Sequence, residues 1–150
     1  MAKAYYSTVF AESADKVWQA IRSFGDYDWT VVPSVTKIED GRPGDQVGAV
    51  RRIEMTDRTM RQILLTHSDR EHSYSYGLLS GMPANAENYI ATLRVTPIVD
   101  GNKSFIEWFA DFDASPQDRD LIRDNFVTNG FAVWLRSLRA RLAQSEWDWG

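Results

Sequence analysis

Arg51 and Gln62 are the residues whose types and placement most invite chemistry in this sequence. Val47 to Met55 reads as a strand with Val47, Ala49, Arg51, Ile53 and Met55 on one face. Thr56-Asp57 then makes a two-residue turn before a second strand, Arg58 to His67. Pairing across that turn sets Ile53 opposite Met60 and Arg51 opposite Gln62, on the apolar face that also carries Leu64. An arginine facing inward is costly unless something answers its charge. Two answers are open. One is an anionic or carbonyl-bearing ligand, which Gln62 would help to orient; the other is a buried ion pair with Asp120 or Asp124. Tyr76 and Tyr89 offer hydroxyls at the ends of apolar bodies, the kind of convergent polar group a pocket needs. Met60, Trp108, Phe112, Phe131 and Trp134 would line such a pocket, or serve simply as core.

Other chemistries find no support in the residue types. His67 is expected on the outer face of its strand and His72 in a loop, neither with carboxylates at metal-ligand spacing, so no metal site is expected. The chain has no cysteine, which removes thiol catalysis, zinc-thiolate sites and disulfide frameworks. There is no glycine-rich phosphate loop and no nucleophile elbow, and no cofactor is expected. A net charge of −4, without a basic run outside the C-terminal helix, argues against nucleic acid as a partner. Met1-Ala2-Lys3-Ala4-Tyr5 carries no signal core, and no apolar run approaches the ~20 residues that span a bilayer. A soluble, cytoplasmic protein is therefore expected. The 150 residues, 43% hydrophobic, suit one domain over 1–150 with a core of its own.

The elements that must position these residues begin with a long amphipathic helix, expected over Ser115 to Leu142. Ser115 suits its cap and Pro116 its first turn, with Asp118 and Asp120 at the positive end and Arg136, Arg139 and Arg141 at the other. Val127, Phe131, Trp134, Leu135, Leu138 and Leu142 fall on one stripe. Gly130 interrupts the helix, where either a close approach, a bend or a ligand space would account for it. Before the helix the chain reads as strand from Tyr5 to Phe10, a helix from Ala14 to Phe24 opened by Ser13, and a further short turn of helix or loop at Asp26 to Trp29. Strands follow at Val35 to Glu39, Val47 to Met55, Arg58 to His67, Ser73 to Leu79, Asn88 to Val99, and after Asp100-Gly101-Asn102. Hairpin succession makes that sheet antiparallel, and the amphipathic helix must cover one face.

This order, with Val17-Trp18, Phe24-Gly25, Trp29 with Pro33, Gly48-Ala49-Val50-Arg51, Asn88-Tyr89, Glu107-Trp108 and Gly130-Phe131, resembles the Bet v 1-like or START-like superfamily (SRPBCC), in particular its bacterial polyketide cyclase/dehydrase branch. The resemblance implies an α+β helix-grip fold: a curved seven-stranded antiparallel sheet wrapped around a long C-terminal helix, with two short helices after strand 1 and a cavity for apolar or amphipathic molecules between them. Lachrymatory-factor synthase and the plant abscisic-acid receptors are more distantly similar. In the synthase an arginine and a glutamate are held to act, at positions matching Arg51 and Gln62; an amide cannot trade protons as a carboxylate does, so that mechanism does not transfer directly. Ser80-Gly81-Met82-Pro83-Ala84 looks like the receptors' gate but lies one hairpin too late, and at most borders a cavity mouth.

The expected function is binding of a small hydrophobic or amphipathic molecule between sheet and helix, with Arg51 contacting its polar end. The alternative is a cyclase- or dehydratase-type enzyme on a carbonyl substrate, Arg51 stabilising an oxyanion while Tyr89 or water handles the proton. A third reading makes the outer sheet face, with Ile90, Phe105 and Phe109, a protein-interaction surface.

Overall fold

The computed structural model describes residues 1–26, 34–81 and 85–147, with side chains given to residue 143. Strand β1 (Ala2–Phe10) leads into helix α1 (Ala14–Ile21), followed by β2 (Ser34–Ile38), β3 (Val50–Met55), β4 (Thr59–Ser68), β5 (Ser73–Ser80), β6 (Glu87–Ile98) and β7 (Lys103–Asp113). Helix α2 (Arg119–Phe126) passes through a π-helical turn (Val127–Phe131) into α3 (Ala132–Trp147). The seven strands form one antiparallel sheet in the order β1-β7-β6-β5-β4-β3-β2. The helix-grip fold expected from the sequence is the fold observed. The second short helix expected after β1 falls on residues 27–33, outside the described residues.

Strict alternation makes the sheet two-faced. In β7, Ile106, Trp108, Ala110 and Phe112 are buried while Phe105, Glu107, Phe109 and Asp111 are half-buried on the other side. The β3–β4 register is the one expected, Arg51 opposite Gln62 and Ile53 opposite Met60. Strand β3 begins at Val50 and not at Val47, because Gly48 takes a φ of 94°, although Gly48 and Ala49 still exchange hydrogen bonds with Leu64. Register shifts interrupt the sheet at three places, between Arg61 and Gln62 of β4 and at the two described next. Asn88, at a left-handed φ of 55°, sits with Tyr89 opposite Phe112, and its Nδ2 donates to Asp113 at 2.8 Å. A second irregularity, between Leu64 and Thr66, reverses the alternation at the end of β4. It corrects the expected position of His67, which pairs with buried Tyr74 and turns inward, toward α1.

Ser13 caps α1, its Oγ accepting from the Lys16 N–H at 3.3 Å, and Val17, Trp18 and Ile21 are buried. The C-terminal helix starts later than its sequence suggests. Ser115 donates its hydroxyl to the Asp118 carboxylate at 3.0 Å instead of capping, and its carbonyl accepts from Asp118 and Arg119 in a preliminary turn. The π turn also shifts the buried stripe. Ile122, Phe126, Phe131, Leu135, Leu138 and Leu142 are buried, whereas Val127 and Trp134 are half-buried. The wider turn brings Phe126 and Phe131, five apart, onto one face.

A polar clasp holds α1 to the sheet. Asp69, in the β4–β5 turn, accepts from Trp18 Nε1, Arg22 Nε and Arg22 Nη2, each at 2.9 Å, while His67 and His72 rings lie 5.4 and 5.7 Å from the Trp18 ring. The Arg22 guanidinium and the Trp18 N–H together hold the Asp69 carboxyl well below the usual carboxylate range. A depressed folded-state value means that its stabilisation is present above the unfolded value of about 3.9 and is lost as pH falls through the folded one. Asp69→Ala strands the buried indole N–H and should cost about 1–2 kcal/mol. Urea unfolding at pH 7 should show that loss, and acid titration of the variant should show a shallower decline in stability below pH 4 than the parent.

Candidate functional site

Arg51 is fully buried. Its Nε donates to Gln62 Oε1 at 2.6 Å and its Nη1 to the Phe24 carbonyl at 3.4 Å, while the guanidinium lies 4.0 Å from the Phe24 ring centroid and 4.9 Å from that of Tyr76. Arginine tolerates this stacking because its plane is weakly hydrated and offers its charge to aromatic faces. The ion-pair reading with the C-terminal helix does not hold: Asp120 and Asp124 are exposed and lie 3.1 and 3.8 Å from Arg123. What the arginine does fix is the polarity of Gln62. A guanidinium only donates, so the carbonyl oxygen of Gln62 faces Arg51 and its amino group is the end left to meet anything else.

Gln62 stands on the wall of a cavity of about 190 Å³ between the sheet and the C-terminal helix. Met60, Tyr76, Leu78 and Tyr89 line it from the sheet; Phe126, Phe131 and Trp134 line it from the helix. Met55 and the turn residues Asp57 and Arg58 form one side of its mouth, and Asn125, Asn129 and Gly130 the other. Asn129 Nδ2 donates to Asn125 Oδ1 at 2.7 Å, one helical turn away. The space is therefore aromatic and thioether-rich, with a buried amide inside and polar groups at the rim.

Of the residues singled out in the sequence, Gln62, Met60, Tyr76, Tyr89, Phe131 and Trp134 meet in this cavity. Arg51, Trp108 and Phe112 do not reach its surface. Each stands behind one that does. Trp108 stacks on Phe131, with centroids 4.9 Å apart, and its Nε1 donates to the Tyr76 hydroxyl at 3.1 Å. Phe112 meets Phe126 edge-on at 5.3 Å. Burial pushes the Tyr76 hydroxyl up to about 12, so it is protonated at neutral pH and serves as a hydrogen-bonding group, not as a base. Sequence reasoning missed Met55, Leu78, Asn125, Phe126 and Asn129. Phe126 and the asparagines were legible only through the phase shift of the π turn, though the i, i+4 pair beside a mid-helix glycine was a usable signal.

Gly130 has no packing reason to be glycine. A Cβ built there meets nothing within 4 Å, and its φ is not in the left-handed region. Glycine inside a helix costs up to about 1 kcal/mol relative to alanine. Of the readings open from sequence, close approach is excluded, and a bend (the π turn) and a ligand space are both present. The Ser80 to Ala84 stretch falls partly on residues 82–84, outside the described residues; Gly81, at φ 82°, lies against the Thr59 and Met60 backbone. On the outer sheet face, Phe109 is covered by Tyr5, Lys3 and Arg94, at 6.0, 4.9 and 5.8 Å from its centroid. Ile90 remains half exposed. Among the described residues no three His, Asp or Glu side chains converge, and no helix is long and apolar enough to cross a membrane.

A sheet gripping a long helix around such a cavity defines a class, and the sequence matches that class directly. Residues 1–144 match the family described as polyketide cyclase/dehydrase and lipid transport, to which the chain belongs. Among curated proteins none matches. Among solved structures, the protein XoxI from Bacillus cereus is similar at 26% identity and a TM-score of 0.82, covering 97% of this chain and 99% of that one. A Thermobifida fusca protein superposes with a TM-score of 0.85 at 24% identity over 96% and 95% of the two chains. Norcoclaurine synthase from Thalictrum flavum, solved with dopamine and hydroxybenzaldehyde, shares the fold at a TM-score of 0.74 and 14% identity over 95% and 86%.

Proposed function

We propose that this protein binds a small hydrophobic or amphipathic molecule in the cavity between sheet and C-terminal helix, and that Gln62 reads its polar end. The observation that carries this is the Arg51–Gln62 pair: a fully buried guanidinium whose Nε fixes the orientation of the Gln62 amide, the other end of which lines an aromatic space. Arg51 then acts as a positioning residue, one step behind the contact first expected of it. The ligand's polar group is an acceptor such as a carbonyl or ether oxygen, since Gln62 offers N–H. Membership of a family that includes cyclases, dehydrases and lipid carriers supports a ligand-holding role.

The enzymatic reading is the weaker one. Among the described residues, the ionisable ones lining the cavity are Asp57 and Arg58 at its mouth and the two tyrosines within, and Tyr76 is a poor base. Native mass spectrometry of the purified protein, with extracted small molecules identified, tests the binding role. An adduct of low mass carrying a carbonyl or ether oxygen supports it. Persistent absence of any adduct, together with no binding from a panel of small aromatic and aliphatic ketones, overturns it.

A further inference from the structure

We infer that Gly130 sets the size limit of the cavity and that the ligand class is a single-ring aromatic with a short acceptor-bearing substituent. The inference rests on the cavity being a ligand site, as proposed above, and narrows what it holds. Volume is the first argument. A protein cavity of about 150 Å³ is enough for benzene. One of about 190 Å³ takes a ring with a short substituent, and a second fused ring would have to extend through the mouth. The lining is the second. Tyr89, Phe126 and Phe131 supply aromatic rings, and Met55 and Met60 polarisable sulfur, a combination suited to an aromatic body more than to a flexible alkyl chain. The placement of polar groups is the third: one donor amide deep in the wall, then ring-lined space, then Asn125 and Asn129 at the mouth.

Gly130 adds to these because its place in the π turn does not itself demand glycine: its φ lies outside the left-handed region and no neighbour stands where a side chain would go. The residue lines the cavity, the space ahead of its missing side chain is empty, and its backbone is compatible with any residue. A larger side chain would occupy volume that a ligand would otherwise fill. Gly130 is thus a specificity-determining position, paid for in helix propensity.

The test uses three probes, acetophenone, 2-acetonaphthone and dodecanoic acid, titrated into the parent protein, Gly130→Ala and Gly130→Leu by NMR, with thermal melting of each. The parent should bind acetophenone at least tenfold more tightly than either other probe. Gly130→Leu should keep or raise the melting temperature and lose acetophenone at least tenfold, with Gly130→Ala lying between; if the leucine variant does not fold, Gly130→Ala must still show a several-fold loss. Equal or tighter binding of 2-acetonaphthone or dodecanoic acid to the parent overturns the single-ring class, and undiminished acetophenone binding in a folded variant overturns the role of Gly130. If no probe perturbs Met60 or Phe131 in the parent, the cavity itself is not a ligand site and both readings fall together.

Discussion

Replacing Arg51 with alanine should destabilise the protein by about 3–5 kcal/mol, the largest effect expected of any single change at the site. The substitution removes a fully buried side chain that stacks on Phe24 and Tyr76, and it strands two acceptors, Gln62 Oε1 and the Phe24 carbonyl. A large-to-small change in a core costs about 2–5 kcal/mol, and each stranded polar group adds to it. At roughly 2–4 °C per kcal/mol for a chain of this size, the melting temperature should fall by about 6–20 °C. Arg51→Met separates the two causes. It keeps much of the volume but neither N–H donor, so it should recover the packing part of the loss, while the two acceptors stay stranded and the Gln62 amide is no longer fixed. Acetophenone affinity should therefore remain about tenfold below the parent, measured by calorimetry at a temperature where the variant is fully folded. Full recovery of affinity in Arg51→Met would show that the arginine serves the core alone.

The second large effect concerns binding. Gln62→Glu places a carboxylate where Arg51 already offers its Nε, so the pair should hold and the fold should survive. The cavity, however, loses the Gln62 N–H donor at this position and gains an acceptor. A ligand oxygen facing it is left unpaired, a penalty of about 1.5–3 kcal/mol, or roughly 10–100-fold in affinity. Acetophenone binding should fall by that factor while toluene, which has no acceptor, should bind as before. An equal loss for both would mean that the substitution had altered the shape of the cavity and not its polarity. The carboxyl of Gln62→Glu, beside Arg51, should also titrate below the ordinary glutamate value, so its contribution to stability should be present above about pH 4.3 and decline as pH falls below it.

Much of this site was legible before the fold was known. The period-two alternation and the Thr56-Asp57 turn fixed Arg51 opposite Gln62, because register in a hairpin follows from the turn and the buried face. The pairing was right, and what the arginine does in it is the proposal made above. Sequence pattern tells which face a side chain takes, not how far it reaches, and so Arg51, Trp108 and Phe112 were placed on the cavity when they stand behind its wall. Local irregularities defeated periodicity elsewhere. The irregularity at Leu64 to Thr66 turned His67 to the inside, and the π turn moved Phe126 into the stripe where Val127 was expected. The first has no glycine or proline at its point of phase change, so no local residue announced it; the second contains Gly130, which allowed a bend without fixing its phase. Asp120 and Asp124 were drawn toward Arg51 by the same helical projection, whereas nearby Arg123 takes them at the surface.

If the Gln62 amide, held by Arg51, meets the ligand's acceptor inside the cavity, titrating acetophenone into the ¹⁵N- and ¹³C-labelled parent protein should give saturable shifts of the Gln62 side-chain NH₂ signals together with the Met60 methyl, with the Arg51 Nε–H moving less. Shifts confined to Ile90, Phe109 and their neighbours on the outer sheet face, with Gln62 unmoved, would contradict it.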